Sequence, residues 1–542
     1  MTTSLPSVSE RARQRLHVTG VVQGVGFRPF VYGLAEAHGL AGWVGNHSAG
    51  VFIEIEGPAA ARQAFQLDLI QRRPPLAHIE AVTVEDLAPL GETGFRIVAS
   101  QAQAGARTLI SPDLCLCADC RRELFDPANR RYRYPFINCT NCGPRFTIVQ
   151  DIPYDRPLTT MAAFTLCPDC AAEYHDPRDR RFHAQPNACP VCGPSIWLEI
   201  GATPPVGGEA ALPAVRQLLA AGQSVAVKGL GGFHLACDAA SDAALRRLRD
   251  RKGRVDKPFA VMVPDLAAAG ALAEVSAEEA QLLTSRERPI VLLKRRPDAP
   301  LSPLVAPGNP YIGILLPYTP LHELLLEGWP ALVMTSANYS DEPIVKDNAE
   351  ARARLADLAD AFLMHDRDIH VWADDSVVRV FEGRELPLRR SRGYAPFPVR
   401  LPLAAPPTLA VGGELKAAFC LAEGAHAFLS QHLGDMENLE TLTAFERAAD
   451  HFQRLFRCTP EIIAADLHPR YLSARWAREH VARAPAARRL VEVQHHHAHL
   501  AAVMAEAGHP VERPVIGFSF DGTGYGPDGA IWGGEVLLAD YS

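Results

Sequence analysis

Eight of the twelve cysteines fall into four Cys-x-x-Cys pairs: Cys117/Cys120, Cys139/Cys142, Cys167/Cys170 and Cys189/Cys192. The second quartet repeats the first at an offset of 50 residues, and the repeat carries more than cysteine. Glu123, Asp126, Pro127, Arg130 and Arg131 recur as Glu173, Asp176, Pro177, Arg180 and Arg181. One pair presents two thiolates to a single ion, and two pairs complete a tetrahedral four-sulfur shell. The spacing predicts two structural zinc ions, each held by four cysteines. Pairing in sequence order is the expectation, and interleaving across the repeat is the alternative. Four thiolates leave no open coordination position, so these metals should hold a small domain together without doing catalysis. Redox-active or merely buried thiols are the competing reading, against which the matched spacing of two quartets argues. Cys115, Cys237, Cys420 and Cys458 lack partners at ligand spacing and are expected to be buried and inert. The basic run from Arg178 to His183 could touch phosphate or be structural.

Three other constellations could do chemistry. Gln23-Gly24-Val25-Gly26-Phe27-Arg28 lies between a strand and a helix, where two glycines let backbone N–H groups converge on an anion and Arg28 adds a planar fork for phosphate oxygens. A glycine turn of purely steric origin would look alike. Arg251-Lys252-Gly253-Arg254-Val255-Asp256-Lys257-Pro258-Phe259 gathers four cations ahead of the apolar run 260–263, and Thr335-Ser336-Ala337-Asn338 follows the predicted strand 331–334. Fixed positive charge and a hydroxyl-amide pair at a strand's carboxyl end suit nucleotide phosphates or a carboxylate-like substrate, although a solvated basic turn is the plainer alternative. Finally, His495 and His499 stand one helical turn apart in Gln494-His495-His496-His497-Ala498-His499, ahead of a helix over 500–506. They could share a metal ion or form a polar surface patch.

Positioning these groups takes several domains. A chain of 542 residues with 48% apolar content exceeds one hydrophobic core and should divide into roughly three to five domains. The expected boundaries are 10–100, 108–200, 208–395 and 405–542, with the Gly/Pro-rich stretch 201–208 as a linker. Residues 16–100 read as strand, helix, strand, strand, helix, strand, from 16–22 to a last strand near 95–98, which is a ferredoxin-like order. A helix over 211–221, a strand over 224–228 and a glycine-rich turn open an α/β segment. From Thr408 a strand and Gly-Gly turn over 409–414 start a new domain. The net charge of −8 gives no overall attraction to a polyanion, so nucleic acid is not an expected partner. No signal segment and no run of about 18 apolar residues is present, so the expectation is a cytoplasmic protein with no membrane contact.

The segment 18–28 and Gly42-Trp43-Val44-Gly45-Asn46 closely resemble acylphosphatases over about 85 residues. The resemblance implies that Arg28 and the amides of residues 23–27 bind phosphate while Asn46 orients the attacking water. Lys-Gly-Arg-x-x-Lys-Pro and Thr-Ser-Ala-Asn resemble the YrdC family, implying an ATP-and-substrate site of Lys252, Arg254, Lys257, Ser336 and Asn338, with ATP used together with Mg. His495-x-x-x-His499 resembles the metal site of TsaD-family proteins, which have an actin-like (ASKHA) fold. That resemblance makes both histidines ligands of a further divalent metal. Phe520-Asp521-Gly522-Thr523-Gly524-Tyr525-Gly526 looks like the acidic phosphate turn of the same superfamily, with Asp521 as third ligand. An actin-like domain has two lobes, so this last domain is expected to be incomplete, and transfer by this chain alone is left open.

The order acylphosphatase-like, paired four-cysteine zinc fingers, YrdC-like and TsaD-like is similar to the HypF family of hydrogenase-maturation carbamoyltransferases over nearly the whole chain. The resemblance implies a multidomain α/β and α+β enzyme that hydrolyses carbamoyl phosphate and makes carbamoyl-adenylate from ATP. It also implies transfer of the carbamoyl group to the C-terminal cysteine thiol of HypE, for the cyanide ligand of [NiFe]-hydrogenase. Two other readings stay open: a tRNA threonylcarbamoylation-type enzyme, against which the acylphosphatase-like start argues, and a zinc-dependent nucleic-acid-binding protein.

Overall fold

Leu16 and Val18 alternate with polar neighbours along the first strand and are fully buried, as are Val51, Ile53 and Ile55 on the strand paired with it. This period of two builds a half-buried sheet. The computed structural model describes residues 11–47, 50–74, 76–98, 109–339 and 342–542, and the boundaries expected at 10, 100 and 108 lie outside them. The first domain runs β1 (Ala12–Val21), α1 (Phe27–Ala37), β2 (Ala41–His47), β3 (Gly50–Gly57), α2 (Ala59–Gln71), β4 (His78–Leu87) and β5 (Phe95–Ile97), in sheet order β4-β1-β3-β2-β5. β1 is antiparallel to β3 and β4, and β2 is antiparallel to β3 and parallel to β5. Phe27 and Val31 of α1 and Phe65 and Leu69 of α2, each pair four residues apart, face inward. The ferredoxin-like order is present, but its sixth element is β4 at the sheet's edge, and the segment near 95–98 is an added strand.

The chain divides into two compact units, one of Met1–Gln217, Pro317–Trp329 and Phe362–His370, the other of Leu218–Leu316, Pro330–Ala361 and Val371–Ser542. Two segments of the expected central domain therefore belong with the first unit. There Leu116 N–H donates to Tyr318 O, His370 N–H donates to Thr147 O, and Arg133 pairs with Glu327.

In the finger region each quartet starts a short helix, α3 (Ala118–Phe125) and α4 (Pro168–His175), with Cys117 and Cys167 at the N-caps. The expected linker is not structureless: β6 (Ile196–Glu199) pairs with β7 (Val206–Gly207). The helix α5 (Ala211–Ala220) follows as expected, then β8 (Val225–Lys228), β9 (Phe233–Asp238) and α6 (Asp242–Lys252). Further along come β10 (Ala260–Met262), α7 (Leu266–Leu272), α8 (Ala277–Thr284), β11 (Ile290–Lys294), β12 (Tyr311–Leu315), α9 (Pro320–Leu325) and β13 (Leu332–Ser336). α10 (Asn348–Arg354), β14 (Ala361–His365), β15 (Val377–Phe381) and β16 (Arg384–Arg389) complete the region. In the second unit eight strands run in the order β16-β15-β11-β12-β10-β13-β9-β8. Fully buried apolar residues fill β8, β9 and β13, as two-sided coverage of a sheet demands.

The last region runs β17 (Val399–Ala410), β18 (Cys420–Leu429), α11 (Leu439–Leu455), β19 (Ile462–Asp466), α12 (Leu472–Ala482), β20 (Arg489–Val493) and α13 (His495–Glu506), then the hairpin β21 (Val515–Tyr525) and β22 (Ile531–Ala539). β17, β19 and β20 are parallel neighbours joined by helical crossovers, with β18 antiparallel at the edge. The last helix begins at His495, one turn earlier than the apolar run suggests, because the Gln494 side chain accepts from His497 N–H and caps it. Asp521-Gly522-Thr523 is a bulge within β21, not a turn between elements: the ladder steps from Phe520 opposite Gly534 to Gly524 opposite Trp532. Cys237 and Cys458 are buried as expected, whereas Cys115 and Cys420 are half-buried. Among the described residues no helix is long and apolar enough to cross a membrane.

Candidate active sites

The phosphate-loop candidate is closed by the fingers. Gly24 and Gly26 adopt left-handed φ angles of 69° and 73°, and α1 starts directly after them. A Cβ on Gly24 would meet the Tyr154 ring at 3.0 Å and one on Gly26 would meet Thr140 Oγ1 at 3.1 Å, so both glycines answer conformation and close approach together. Arg145 donates from Nε to Gly24 O at 2.9 Å and from its other nitrogens to Cys142 O at 3.0 Å and Thr140 O at 2.8 Å, joining a zinc-finger knuckle to the loop. Arg28 and Asn46 are buried and line one cavity with Gln23, Gly24, Gly26 and Phe27, enclosing about 380 Å³ including its open mouth. Burial lowers the Arg28 guanidinium below its ordinary value, while Asp155 and Tyr174 pull it back up. Gln23 donates from its amide nitrogen to His47 O at 2.7 Å and Gly50 O at 2.9 Å, which leaves its Oε1 buried and without a partner; Asn46 Oδ1 is in the same condition. Val25 turns its side chain into the core and does not line the cavity.

Cys117, Cys120, Cys139 and Cys142 converge in one cluster, and Cys167, Cys170, Cys189 and Cys192 in another, with the ligand atoms of each within 4.8 Å of one another. The pairing is sequential. The donor chemistry fits closed tetrahedral zinc. The two sites lean on each other: Arg130 donates to Cys170 Sγ at 3.2 Å and Arg180 to Cys120 Sγ at 3.2 Å. Arg180 and Arg181 thus work structurally, clamped on Glu123.

Lys252 ends α6 and is buried; its Nζ donates to Ser336 O and Asn338 Oδ1, both at 2.9 Å, and to Asn338 O. Ser336 Oγ donates to the same Asn338 Oδ1 at 2.9 Å. Burial, then repulsion from Arg254, takes the Lys252 ammonium down to about 7. Arg254 donates to Thr335 Oγ1 at 3.2 Å and to Lys257 O at 3.0 Å, and lies 4.8 Å over the Phe259 ring. Lys257 itself sits on an exposed turn. Below this cluster, His234 meets Asp375 at 3.0 Å and Arg392 donates to the same carboxylate at 2.8 Å, a buried network without a local motif.

The third cluster joins His495 Nε2 to Asp521 at 2.9 Å and His499 Nε2 to Asp521 at 3.2 Å, with the two ring nitrogens 3.1 Å apart. Three donors converging from a helix face and a strand bulge fit a divalent metal. His495 Nδ1 meets Asp466 at 2.5 Å, a contact that raises the imidazole's affinity for protons. Asp521 is held down at about 2, first by the Thr523 N–H and then by His495.

Family models match in the expected order: "Acylphosphatase" over 14–97, "HypF finger" over 116–149 and 166–199, and the Sua5/YciO/YrdC family described as "Telomere recombination" over 217–391. The last region matches "HypF Kae1-like domain" over 404–506 and "Carbamoyltransferase, Kae1-like Domain, second subdomain" over 517–542. Carbamoyltransferase HypF2 of Cupriavidus necator is 50% identical over 560 residues, covering 99% of this chain and 68% of that protein. The chain belongs to the HypF carbamoyltransferase family. The HypF of a Synechocystis species is 49% identical across 96% of this chain and 67% of its own length. A crystal structure of full-length HypF in a phosphate- and nucleotide-bound form superposes with a TM-score of 0.94 at 45% identity, covering 99% of this chain and 70% of that one.

In this HypF-family chain the Gln23–Arg28 loop with Asn46, the group of Lys252, Arg254, Ser336 and Asn338 with the exposed Lys257 beside it, and the group of His495, His499 and Asp521 form separate clusters, and Val25 does not line the cavity of its loop. Arg145 and Tyr154 in the first cluster and Asp466 in the third carry no signal in the sequence, whereas His183 ends the Arg178–His183 run and Thr335 opens the Thr335–Asn338 motif.

Proposed function

We propose that the chain carries carbamoyl through three successive chemistries. At the Arg28 pocket, water attacks the phosphorus of carbamoyl phosphate and the bond from phosphorus to the carbamoyl oxygen breaks, giving carbamate, hydrogen phosphate and one proton. Arg28 and the loop N–H groups take the phosphate charge, and Asn46 Oδ1, buried with no partner, receives a hydrogen of the attacking water. At the second cluster a carbamate oxygen attacks the α-phosphorus of ATP, pyrophosphate leaves, and carbamoyl-adenylate forms with Lys252 and Arg254 facing the separating charges. The carbamoyl group then passes to a cysteine thiol, in this reading the C-terminal one of HypE, with release of AMP, in the service of [NiFe]-hydrogenase maturation. His495, His499 and Asp521 would hold a divalent metal able to anchor nucleotide phosphate in the last domain.

The observation that carries this reading is the Lys252 cage. A buried ammonium faces neutral oxygens of Ser336 and Asn338, residues 84 and 86 positions away, so its charge is left uncompensated by those contacts and favours an incoming anion. The phosphate and nucleotide held by the related HypF crystal structure support the same assignment. The deciding assay is ATP–pyrophosphate exchange. It should depend on carbamoyl phosphate and vanish in Lys252→Ala; exchange that ignores either would sink the proposal.

A further inference from the structure

Arg133 and His183 occupy equivalent positions of the finger repeat, 50 residues apart, and both have left-handed backbones, with φ of 56° and 50°. Each donates its backbone N–H into the preceding helix, to Leu124 O at 2.8 Å and Tyr174 O at 3.1 Å, again 50 residues apart. The side chains then diverge. Arg133 makes a two-pronged ion pair with Glu327, at 2.7 Å for each prong. His183 instead lines the Arg28 cavity. Its ring stacks on Tyr174 at 4.9 Å and Phe182 at 4.2 Å, and its Nδ1 is buried with no hydrogen-bond partner.

Buried polar atoms without partners are rare, and three of them on residues that line one cavity call for a ligand. Besides His183 Nδ1 they are Gln23 Oε1 and Asn46 Oδ1. Gln23 Oε1 cannot exchange places with its amide nitrogen, because that nitrogen is committed to His47 O and Gly50 O. Burial, followed by Arg28, takes the His183 imidazole down to about 3, so near neutral pH the ring is uncharged and one of its nitrogens can accept. A fitting ligand therefore presents phosphate oxygens to Arg28 and donor hydrogens to the acceptors opposite. The attacking water supplies some of those hydrogens. Among acyl phosphates, the carbamoyl –NH2 supplies the others, whereas the methyl of acetyl phosphate supplies none.

We propose that His183 is a specificity-determining residue, its Nδ1 accepting a hydrogen bond from the carbamoyl nitrogen, so that the second finger selects the acyl group while the first domain's loop holds the phosphate. This rests on the reading of the Arg28 pocket as a carbamoyl phosphate hydrolase.

The test uses the full zinc-loaded chain and compares kcat/KM for carbamoyl phosphate with that for acetyl phosphate. His183→Gly removes the ring at a position where glycine accepts the backbone conformation. The carbamoyl-to-acetyl ratio should fall about tenfold, the size of one neutral hydrogen bond; an unchanged ratio overturns the proposal. A second measurement needs no variant. Two unreactive phosphonates differ only in amide against methyl ketone, phosphonoacetamide and acetonylphosphonate, and their inhibition or binding constants should differ about tenfold in favour of the amide. Equal binding overturns the proposal even if His183→Gly fails to fold. If the wild-type chain hydrolyses neither acyl phosphate, the hydrolase reading fails, and the phosphonate pair still decides whether the pocket prefers the amide.

Discussion

Arg131 of the first finger donates to the Glu173 carboxylate of the second at 2.5 Å, and the repeat returns the contact, Arg181 of the second finger pairing with Glu123 of the first. Burial would raise the Glu173 carboxyl, but Arg131 and Arg130 hold it down at about 2. Because Arg130 also reaches Cys170 Sγ, the first finger's arginines tune the second finger's thiolates. Arg130→Ala/Arg131→Ala should release the zinc of the opposite finger, the Cys167 quartet, about 10 to 100 times more readily to a chelator. A chromogenic chelator would follow two ions per chain. Loss confined to the Cys117 quartet would contradict the crosswise clamp.

Lys252 predicts a pH dependence. Its folded value of about 7 lies below the ordinary 10.5, so in the free chain the ammonium is present below pH 7 and lost above it. Anionic phosphates favour the charged form and raise that value on binding. ATP–pyrophosphate exchange at low ATP should therefore fall as pH climbs through about 7, and saturating ATP should move the midpoint upward. Lys252→Arg, which stays charged, should flatten the profile while lowering the rate. For stability the sign is the reverse. The unfolded chain binds the extra proton between about 7 and 10.5, so the burial penalty, full below pH 7, is relieved as pH rises through that window.

What could be read from the sequence was what sits close together along it. The cysteine quartets, the Gln23–Arg28 loop, Lys252-Gly253-Arg254 and His495/His499 each compress their chemistry into a few residues, and the structure assembles them as spaced. Arg145 reaches Gly24 across 121 positions, and Asp466 reaches His495 across 29, from segments with no motif. β4 leaves little trace in the sequence because it is an edge strand with mostly exposed side chains, such as Val84, and shows only a weak alternation. His183 is informative only against Arg133, since the repeat shows what that position does when it has no cavity to line.

Arg145 also predicts that zinc supports phosphate binding. Its bonds to Cys142 O, Thr140 O and Gly24 O make one buried guanidinium the strut between the Cys117 quartet and the loop. Arg145→Ala should weaken inhibition by inorganic phosphate about 10- to 100-fold, several charge-assisted bonds being lost. Zinc removal from the wild-type chain should cause a similar loss. Applied to Arg145→Ala it should add little, because both act through one contact. Fully additive losses would show that zinc and Arg145 support the loop separately.

The last prediction concerns Asp466. Its carboxylate fixes His495 Nδ1, so that Nε2 is turned toward His499 and Asp521, the arrangement in which a carboxylate orients a metal-binding imidazole. The same contact raises His495, and a proton on Nε2 competes with a metal. Asp466→Asn should lower Mn²⁺ affinity about 10- to 100-fold at pH 8, where proton competition is weak. It should also move the pH at which binding is lost to a lower value, because the imidazole without its carboxylate partner titrates lower. Titration calorimetry across the pH range separates the two effects: an unchanged plateau affinity with an unchanged midpoint would mean that Asp466 neither orients nor tunes the site.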